Sequence, residues 1–240
     1  MRYIALFLLL MSFVTFSLGQ KTNVYFFPGQ GSDQRLFSKI KFDTAEFNAV
    51  YFHYPTPEKN ATMQSFAYQF IDSIDQKQPF ILIGTSMGGM FCSELSDTLD
   101  PLSTVVISSA KERKELPHRY RFQRIVPIYK IIPKRFLLGG AKMMQPIVEP
   151  DRNKEKDTFK NMLADKDPTY MKRSIHLIVN WRKVGCSPKI VHIHGDKDNT
   201  LPIRKVKADY VVEGGSHMMT LTRGEEILEI IEQIILSSSN

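Results

Sequence analysis

Six short runs of apolar, β-branched and aromatic residues limit the folds that this 240-residue chain can adopt. Turn-forming residues bound each run, as is typical of buried strands. Helical periodicity fills the stretches between most of the runs; Phe66, Phe70 and Ile74, for example, recur every four residues. Strands that alternate with helices predict an α/β fold, a mostly parallel sheet with helices on both faces. The predicted strands are residues 24–27, 49–52, 80–83, 104–107, 190–194 and 208–212.

The alternation breaks at residues 111–184, a basic stretch with several prolines and no convincing strand. This stretch has 19 Lys and Arg against 8 Asp and Glu. Asp167 followed by Pro168 is typical of a helix N-cap with proline at the first helical position. So long an insertion between two strands indicates a mainly helical cap over the strand ends. The predicted division is therefore a core of residues 20–110 and 185–240 and a cap of residues 111–184.

A G-x-S-x-G motif, residues 84–88, lies between the third predicted strand and a predicted helix. Glycines on both sides of the turn permit a sharp bend, because they have no Cβ to clash with the neighbouring backbone. A strand, such a turn and a helix would hold the Ser86 hydroxyl at the edge of the sheet. The motif by itself leaves an alternative, in which Ser86 only caps the helix that follows.

A serine hydroxyl becomes a good nucleophile only beside a base, and a third group must orient that base. Of the six histidines, His217 follows the sixth predicted strand directly and lies at the same sheet edge as Ser86. The orienting carboxylate is expected after the fifth strand, where both Asp196 and Asp198 occur. Adjacency to the strand does not choose between the two aspartates.

With serine, aspartate and histidine in this order, the chain resembles proteins of the α/β-hydrolase fold, of the capped single-domain kind. The resemblance extends over residues 23–236 and depends on three motifs. These are residues 27–31 (FPGQG) after the first strand, residues 84–88, and residues 194–198 (HGDKD) combined with His217. Each motif is weak alone, and together they are specific.

The resemblance implies that Ser86 is the nucleophile, His217 the base and Asp198 the acid, with Asp196 stabilising its loop. The implied reaction is the cleavage of a small-molecule carboxylic ester or thioester through an acyl-enzyme, with no cofactor and no metal. Amide, lactone or carbon–carbon bond hydrolysis by the same triad remains an alternative. A binding protein that keeps the fold without catalysis is another.

The same comparison implies an oxyanion hole made by the backbone N–H groups of Met87 and Gln30. One such donor is worth about 3 kcal/mol in a transition state. Many members of the family begin with two further strands, but here the apolar N-terminal run leads almost directly into the first family-type strand. We therefore predict a shortened, six-stranded, all-parallel sheet in the order 2-1-3-4-5-6.

The basic cap has two interpretations. It is a solvated face, which is the usual case, or it guides an anionic substrate or an anionic membrane surface toward Ser86. Cationic and apolar residues interleave here in an amphipathic pattern that prolines interrupt. The residues are Arg119, Arg121, Phe122, Arg124, Ile125, Val126, Ile128 and Lys130, with Pro127 and Pro133.

Two other ligand classes are not expected. Gly29 and Gly31 follow a strand, but the third glycine of a dinucleotide-binding turn is missing. No nucleic-acid partner is predicted either. His192 and His194 share one strand face and could bind a metal. Without a third ligand nearby, we interpret them as core histidines.

The N-terminus has the pattern of a secretory signal peptide over residues 1–19: Arg2, an apolar run, and small residues at Ser17 and Gly19. An exported protein, periplasmic or secreted, is therefore predicted, and a retained membrane anchor is the alternative. In an exported protein Cys92 and Cys186 could pair. Their positions in the sequence do not establish that they meet.

Overall fold

The computed structural model describes residues 21–133, 136, 139 and 152–238. These residues contain a six-stranded, all-parallel sheet in the order β2-β1-β3-β4-β5-β6, so the predicted fold class and strand order are confirmed. Parallel pairing brings the carboxyl ends of all six strands to one edge of the sheet. The strands are β1 Thr22–Phe27, β2 Phe47–Tyr51, β3 Phe80–Thr85, β4 Ser103–Ile107, β5 Ile190–Gly195 and β6 Tyr210–Val212.

Helices occupy most of the connections between these strands. The α-helices are α1 Met63–Ala67, α2 Met87–Leu95, α3 His118–Gln123, α4 Ile128–Ile131, α5 Lys156–Ala164, α6 Pro168–Asn180, α7 Met219–Thr222 and α8 Gly224–Ser238. Single 3₁₀ turns or short 3₁₀ helices lie at Gln34–Phe37, Tyr68–Ser73, Arg113–Glu115, Arg152–Glu155 and Ile203–Lys205. The helical pattern around Phe66 and Phe70 is thus divided between α1 and a 3₁₀ segment, which winds more tightly.

Each face of the sheet carries its own apolar core, because successive side chains of a strand point to opposite faces. On β1, Tyr25 and Phe27 pack with α1, α2 and α6 on one face. Val24 and Phe26, from the same strand, pack with α5, α7 and α8 on the other face. Both layers are therefore needed to bury a strand that is apolar at consecutive positions.

The described part of residues 111–184 contains α3 to α6 and no strand, which agrees with a mainly helical cap. Asp167 caps α6 as predicted, since its carboxylate accepts from the N–H groups of Thr169 and Tyr170 at 3.1 Å, with Pro168 at the first helical position. Residues of α6, among them Met171, join the apolar core beside α2. The exact boundaries of the cap stay a prediction.

Cys92 is buried on α2 and Cys186 is exposed, and both are free thiols. The predicted signal peptide, residues 1–19, lies outside the described residues. In the parts of the chain that the structure describes, no helix combines the length and the apolar character needed to span a membrane.

The glycines of the 84–88 turn are required by a close backbone crossing. A Cβ on Gly88 would lie 2.0 Å from the carbonyl oxygen of Phe27, at the end of β1. A Cβ on Gly84 would lie 2.5 Å from the carbonyl oxygen of Gly88 itself. The start of α2 therefore packs directly against the backbone of β1, with no room for a side chain between them.

Replacing Gly88 by alanine is expected to lower the free energy of unfolding by about 3 kcal/mol or more, because backbone atoms must move apart to admit the methyl group. Gly185→Ala is the control: its φ is +75°, but an added Cβ there meets no atom within 4 Å. Its left-handed conformation should cost alanine only about 1–2 kcal/mol. Urea unfolding of both variants measures the difference, and equal losses would contradict the steric argument.

Candidate active site

Ser86 lies in a strained turn between β3 and α2. Its backbone has φ 54° and ψ −119°, a region that residues with a Cβ rarely adopt and that costs about 1–3 kcal/mol. Neighbouring strands hold it there: the Ser86 N–H donates to the Ile107 carbonyl at 3.0 Å, and the Ser109 hydroxyl donates to the Ser86 carbonyl at 2.6 Å. The half-buried Ser86 side chain is thus presented at the carboxyl edge of the sheet.

Three of the predicted site residues meet at this edge. His217, in the loop between β6 and α7, places Nε2 2.9 Å from the Ser86 hydroxyl oxygen. Its Nδ1 lies 2.8 Å from Oδ2 of Asp198, in the loop after β5. Because an ionised carboxylate only accepts, Nδ1 carries the shared proton, and Nε2 of the neutral ring is left to accept from the Ser86 hydroxyl.

Asp198 is buried and fully hydrogen-bonded. Its Oδ1 accepts from the N–H groups of Thr200 at 2.8 Å and Leu201 at 2.7 Å, while Oδ2 faces His217. Burial by itself would raise the pKa of Asp198. The interaction with His217, whose ring is charged when protonated, the proximity of His194 and the hydrogen bond from the Leu201 N–H together outweigh burial and hold this pKa below its ordinary value. Asp198 is therefore an anion at neutral pH.

Asp196, the other candidate, points to a different loop. Its Oδ1 accepts from the Gly214 N–H at 2.6 Å, and its own N–H donates to the Val212 carbonyl at 3.2 Å. These bonds connect the end of β5 to the turn after β6, and that turn leads to His217. The structure thus brings Asp198, rather than Asp196, against the histidine ring.

The two implied oxyanion donors belong to segments next to Ser86. Met87 is the first residue of α2, where a backbone N–H has no acceptor within the helix. Gln30 lies in the loop after β1. This loop passes close to Ser86, because a Cβ added to Gly29 would lie 3.2 Å from the Cβ of Ser86. The Gln30 side chain donates to the Met171 carbonyl at 3.1 Å, so the cap helix α6 holds this loop.

A second contact between cap and core was not anticipated from the sequence. The Arg119 guanidinium, on α3, donates to the carbonyls of Asn199 and Thr200, directly after Asp198. Arg119 and Thr200 are 81 positions apart, and no local pattern links them. The only sequence signal was the position of Arg119 in the basic cap.

His192 and His194 form a buried pair behind the acid. The His194 Nε2–H donates to the Leu201 carbonyl at 2.7 Å, so its Nδ1 is left to accept from His192 Nε2 at 3.0 Å. His192 Nδ1 is then a bare, buried nitrogen with no partner among the described residues. Within those same residues, no group of three or more His, Cys, Asp or Glu is arranged to hold a metal ion.

A polar and aromatic cleft of about 230 Å³ opens beside the loop that carries Gln30. Pro28 and Ser32 line it from this loop, Tyr54 from the loop after β2, and Lys166 and Tyr170 from the cap. The Tyr54 hydroxyl donates to the Pro28 carbonyl at 2.9 Å and so braces the loop from the cleft side.

The fold and these residues define an α/β hydrolase. Residues 14–230 match the model of the alpha/beta hydrolase family, and the chain belongs to that family. No curated protein matches the sequence of the chain.

Solved structures resemble the fold at low sequence identity. A thermophilic esterase from Thermogutta terrifontis is 13% identical with a TM-score of 0.69, and the match covers 92% of each chain. An esterase from Exiguobacterium antarcticum is 14% identical with a TM-score of 0.64, over 90% of this chain and 92% of the other. The enol-lactonase from Burkholderia xenovorans is 12% identical with a TM-score of 0.65, over 91% and 92%.

The histidine pair predicts an acid-sensitive fold. Burial, followed by the proximity of His194, holds the pKa of His192 well below its ordinary value of 6.5. The unfolded chain therefore binds a proton near pH 6.5 that the folded chain does not, and stability present above this pH is lost as the pH falls. The loss should approach about 1.4 kcal/mol per pH unit below 6.5.

His192→Leu is expected to flatten this pH dependence between about pH 7.5 and pH 5.5, as measured by urea unfolding at each pH. Ser187→Ala provides the control, since it changes no titratable group and should leave the slope unchanged. A wild-type slope that persists in the His192 variant would contradict the role of the pair.

Proposed function

We propose that this protein is a serine hydrolase that cleaves a carboxylic ester or thioester through an acyl-enzyme. The observation that carries the proposal is one continuous chain of hydrogen bonds, from Ser86 Oγ to His217 at 2.9 Å and from His217 to Asp198 at 2.8 Å. The chain runs from a half-buried hydroxyl to a fully buried carboxylate, which is the arrangement that serine activation requires.

In the first step, Ser86 Oγ attacks the acyl carbonyl carbon while its proton moves to His217 Nε2. The imidazolium that forms is stabilised by the anionic Asp198, which keeps Nδ1 protonated and the ring in place. When the tetrahedral intermediate collapses, the carbonyl re-forms, the bond to the alcohol or thiol breaks, and the leaving group takes the proton from Nε2. An ester between Ser86 and the acyl group remains.

In the second step, water replaces the leaving group. His217 accepts a proton from water as the water oxygen attacks the acyl carbon, and it returns this proton to Ser86 Oγ when the free acid is released. The backbone N–H groups of Met87 and Gln30 would stabilise the oxyanion in both steps. The bond between the Gln30 side chain and the Met171 carbonyl supports this role by holding the donor loop. These steps use only side chains, backbone N–H groups and water.

The acyl substrate is proposed to be a small molecule. The similar structures include esterases and an enol-lactonase, and a substrate with an ester or lactone carbonyl is compatible with that likeness. At these identities the likeness concerns the fold.

Ser86→Ala is expected to abolish labelling by a fluorophosphonate probe and to lower kcat toward p-nitrophenyl esters by about 10⁴-fold or more, since the nucleophile is lost. Ser187→Ala, before β5 at the opposite sheet edge, is the matched control and should label like the wild type. A panel of increasing acyl length would define the substrate. A folded wild-type protein that neither labels nor turns over any ester would favour the non-catalytic alternative.

The two aspartates provide a second test. Asp198→Asn should lower kcat by about 10⁴-fold, because an amide at this position favours the wrong tautomer of His217. Asp196→Asn should cost less than about tenfold, since an amide oxygen can still accept from the Gly214 N–H. Steady-state kinetics of both variants, with urea unfolding to verify that each is folded, measure the contrast. Comparable losses would assign Asp196 a larger share of the chemistry.

A further inference from the structure

We propose that the outward face of residues 122–131 in the cap binds the surface of an anionic lipid membrane. We call it the α3–α4 face. Its members are the outward-facing cations and the exposed apolar side chains of α3, α4 and the turn between them. They are Phe122, Arg124, Ile125, Val126, Ile128, Lys130 and Ile131.

The α3–α4 face concentrates exposed apolar surface. Of the ten large hydrophobic residues exposed in the described parts of the chain, five fall within the ten positions 122–131. Ile125 and Ile131 are 80% and 82% exposed, and Phe122 is 53% exposed. Single exposed apolar residues are ordinary on protein surfaces, but a contiguous group of them marks a binding surface.

The positive charge of the α3–α4 face indicates that it binds an anionic surface. Between Glu115 and Glu149 the sequence has seven Lys and Arg and no Asp or Glu. On the face itself, the exposed Arg124 and Lys130 flank the apolar side chains. Apolar residues that enter the headgroup boundary, with cations at the level of the lipid phosphates, are the usual arrangement of interfacial segments.

Contacts beneath the α3–α4 face hold it in this orientation. Tyr129 is buried on the inner side, where its hydroxyl lies 2.8 Å from Nδ1 of His176 on α6. The Lys172 ammonium, also on α6, donates to the carbonyls of Lys130 at 2.7 Å and Ile132 at 2.9 Å. Both contacts leave the apolar side chains of the turn and of α4 directed away from the core.

The same charge argues against a second copy of the chain as the occupant. A symmetric dimer through this face would bring like cations together with no acidic residue between them, which is unfavourable. An anionic membrane supplies the opposite charge over an area of any size. The inference does not depend on Ser86 being a nucleophile, because no residue of the α3–α4 face belongs to the proposed triad.

Flotation of the purified full chain with lipid vesicles tests the proposal. Vesicles of phosphatidylcholine alone are compared with vesicles that contain phosphatidylglycerol, at non-saturating lipid. The wild type should partition at least tenfold more strongly onto the anionic vesicles at low salt and lose this preference at high salt. Any binding by residues 1–19 is common to all variants and cancels when variants are compared on the same vesicles.

Two double variants separate charge from apolar contact. Arg124→Glu with Lys130→Glu should lower partitioning onto anionic vesicles by at least tenfold, since each lost cation accounts for roughly fivefold. Ile125→Ser with Ile131→Ser should lower it at least as much.

The controls are Lys59→Glu and Val184→Ser, which are exposed positions outside the α3–α4 face. They should change partitioning less than about twofold. Ser86→Ala should bind vesicles as the wild type does. The membrane test and the catalytic test can therefore fail independently. Equal binding to both vesicle types, or equal binding by face and control variants, would overturn the proposal. Self-association that Ile125→Ser with Ile131→Ser abolishes, measured by light scattering, would assign the face to a second copy and overturn it too.

Discussion

The close approach of two backbones is the constraint on which the rest of this structure depends. The start of α2 passes so near the end of β1 that a Cβ on Gly88 would lie 2.0 Å from the Phe27 carbonyl oxygen. This contact positions Ser86 above the strand ends and beside the loop that carries Gln30. The positive φ of Ser86 is tolerated because β4 and the residues after it hold the turn through Ile107 and Ser109.

The site also has an ordered gradient of burial. Asp198 is buried and accepts hydrogen bonds on both oxygens, His217 is buried but slightly more exposed, and Ser86 is half-buried. Such a gradient keeps the acid ionised and dry while the hydroxyl remains accessible. Behind the acid, the neutral pair of His192 and His194 fills the core and connects β5 to the acid loop, at the expense of stability in acid.

The cap has two different sides. Its inner side touches both loops of the candidate site, through the bond from Gln30 to Met171 and the bonds from Arg119 to the residues after Asp198. Its outer side carries cations and exposed apolar side chains over residues 122–131. The cap therefore contacts the candidate site on one side and, in our proposal, a lipid surface on the other.

Local patterns in the sequence predicted the strands, a mostly parallel sheet and the residue types at the sheet edge, whereas the order of the strands came from the family resemblance. This was possible because periodicity and turn residues act over a few positions, and because parallel strands bring their carboxyl ends together. The sequence by itself did not choose between Asp196 and Asp198; the choice came from the family resemblance, and geometry then placed only Asp198 against His217. Neither the contact from Arg119 to Thr200 nor the free state of Cys92 and Cys186 could be predicted, since both depend on which distant segments pack together. Tertiary structure alone decided them, because hydrogen bonds and close contacts between residues far apart in the chain leave no periodic trace in the sequence.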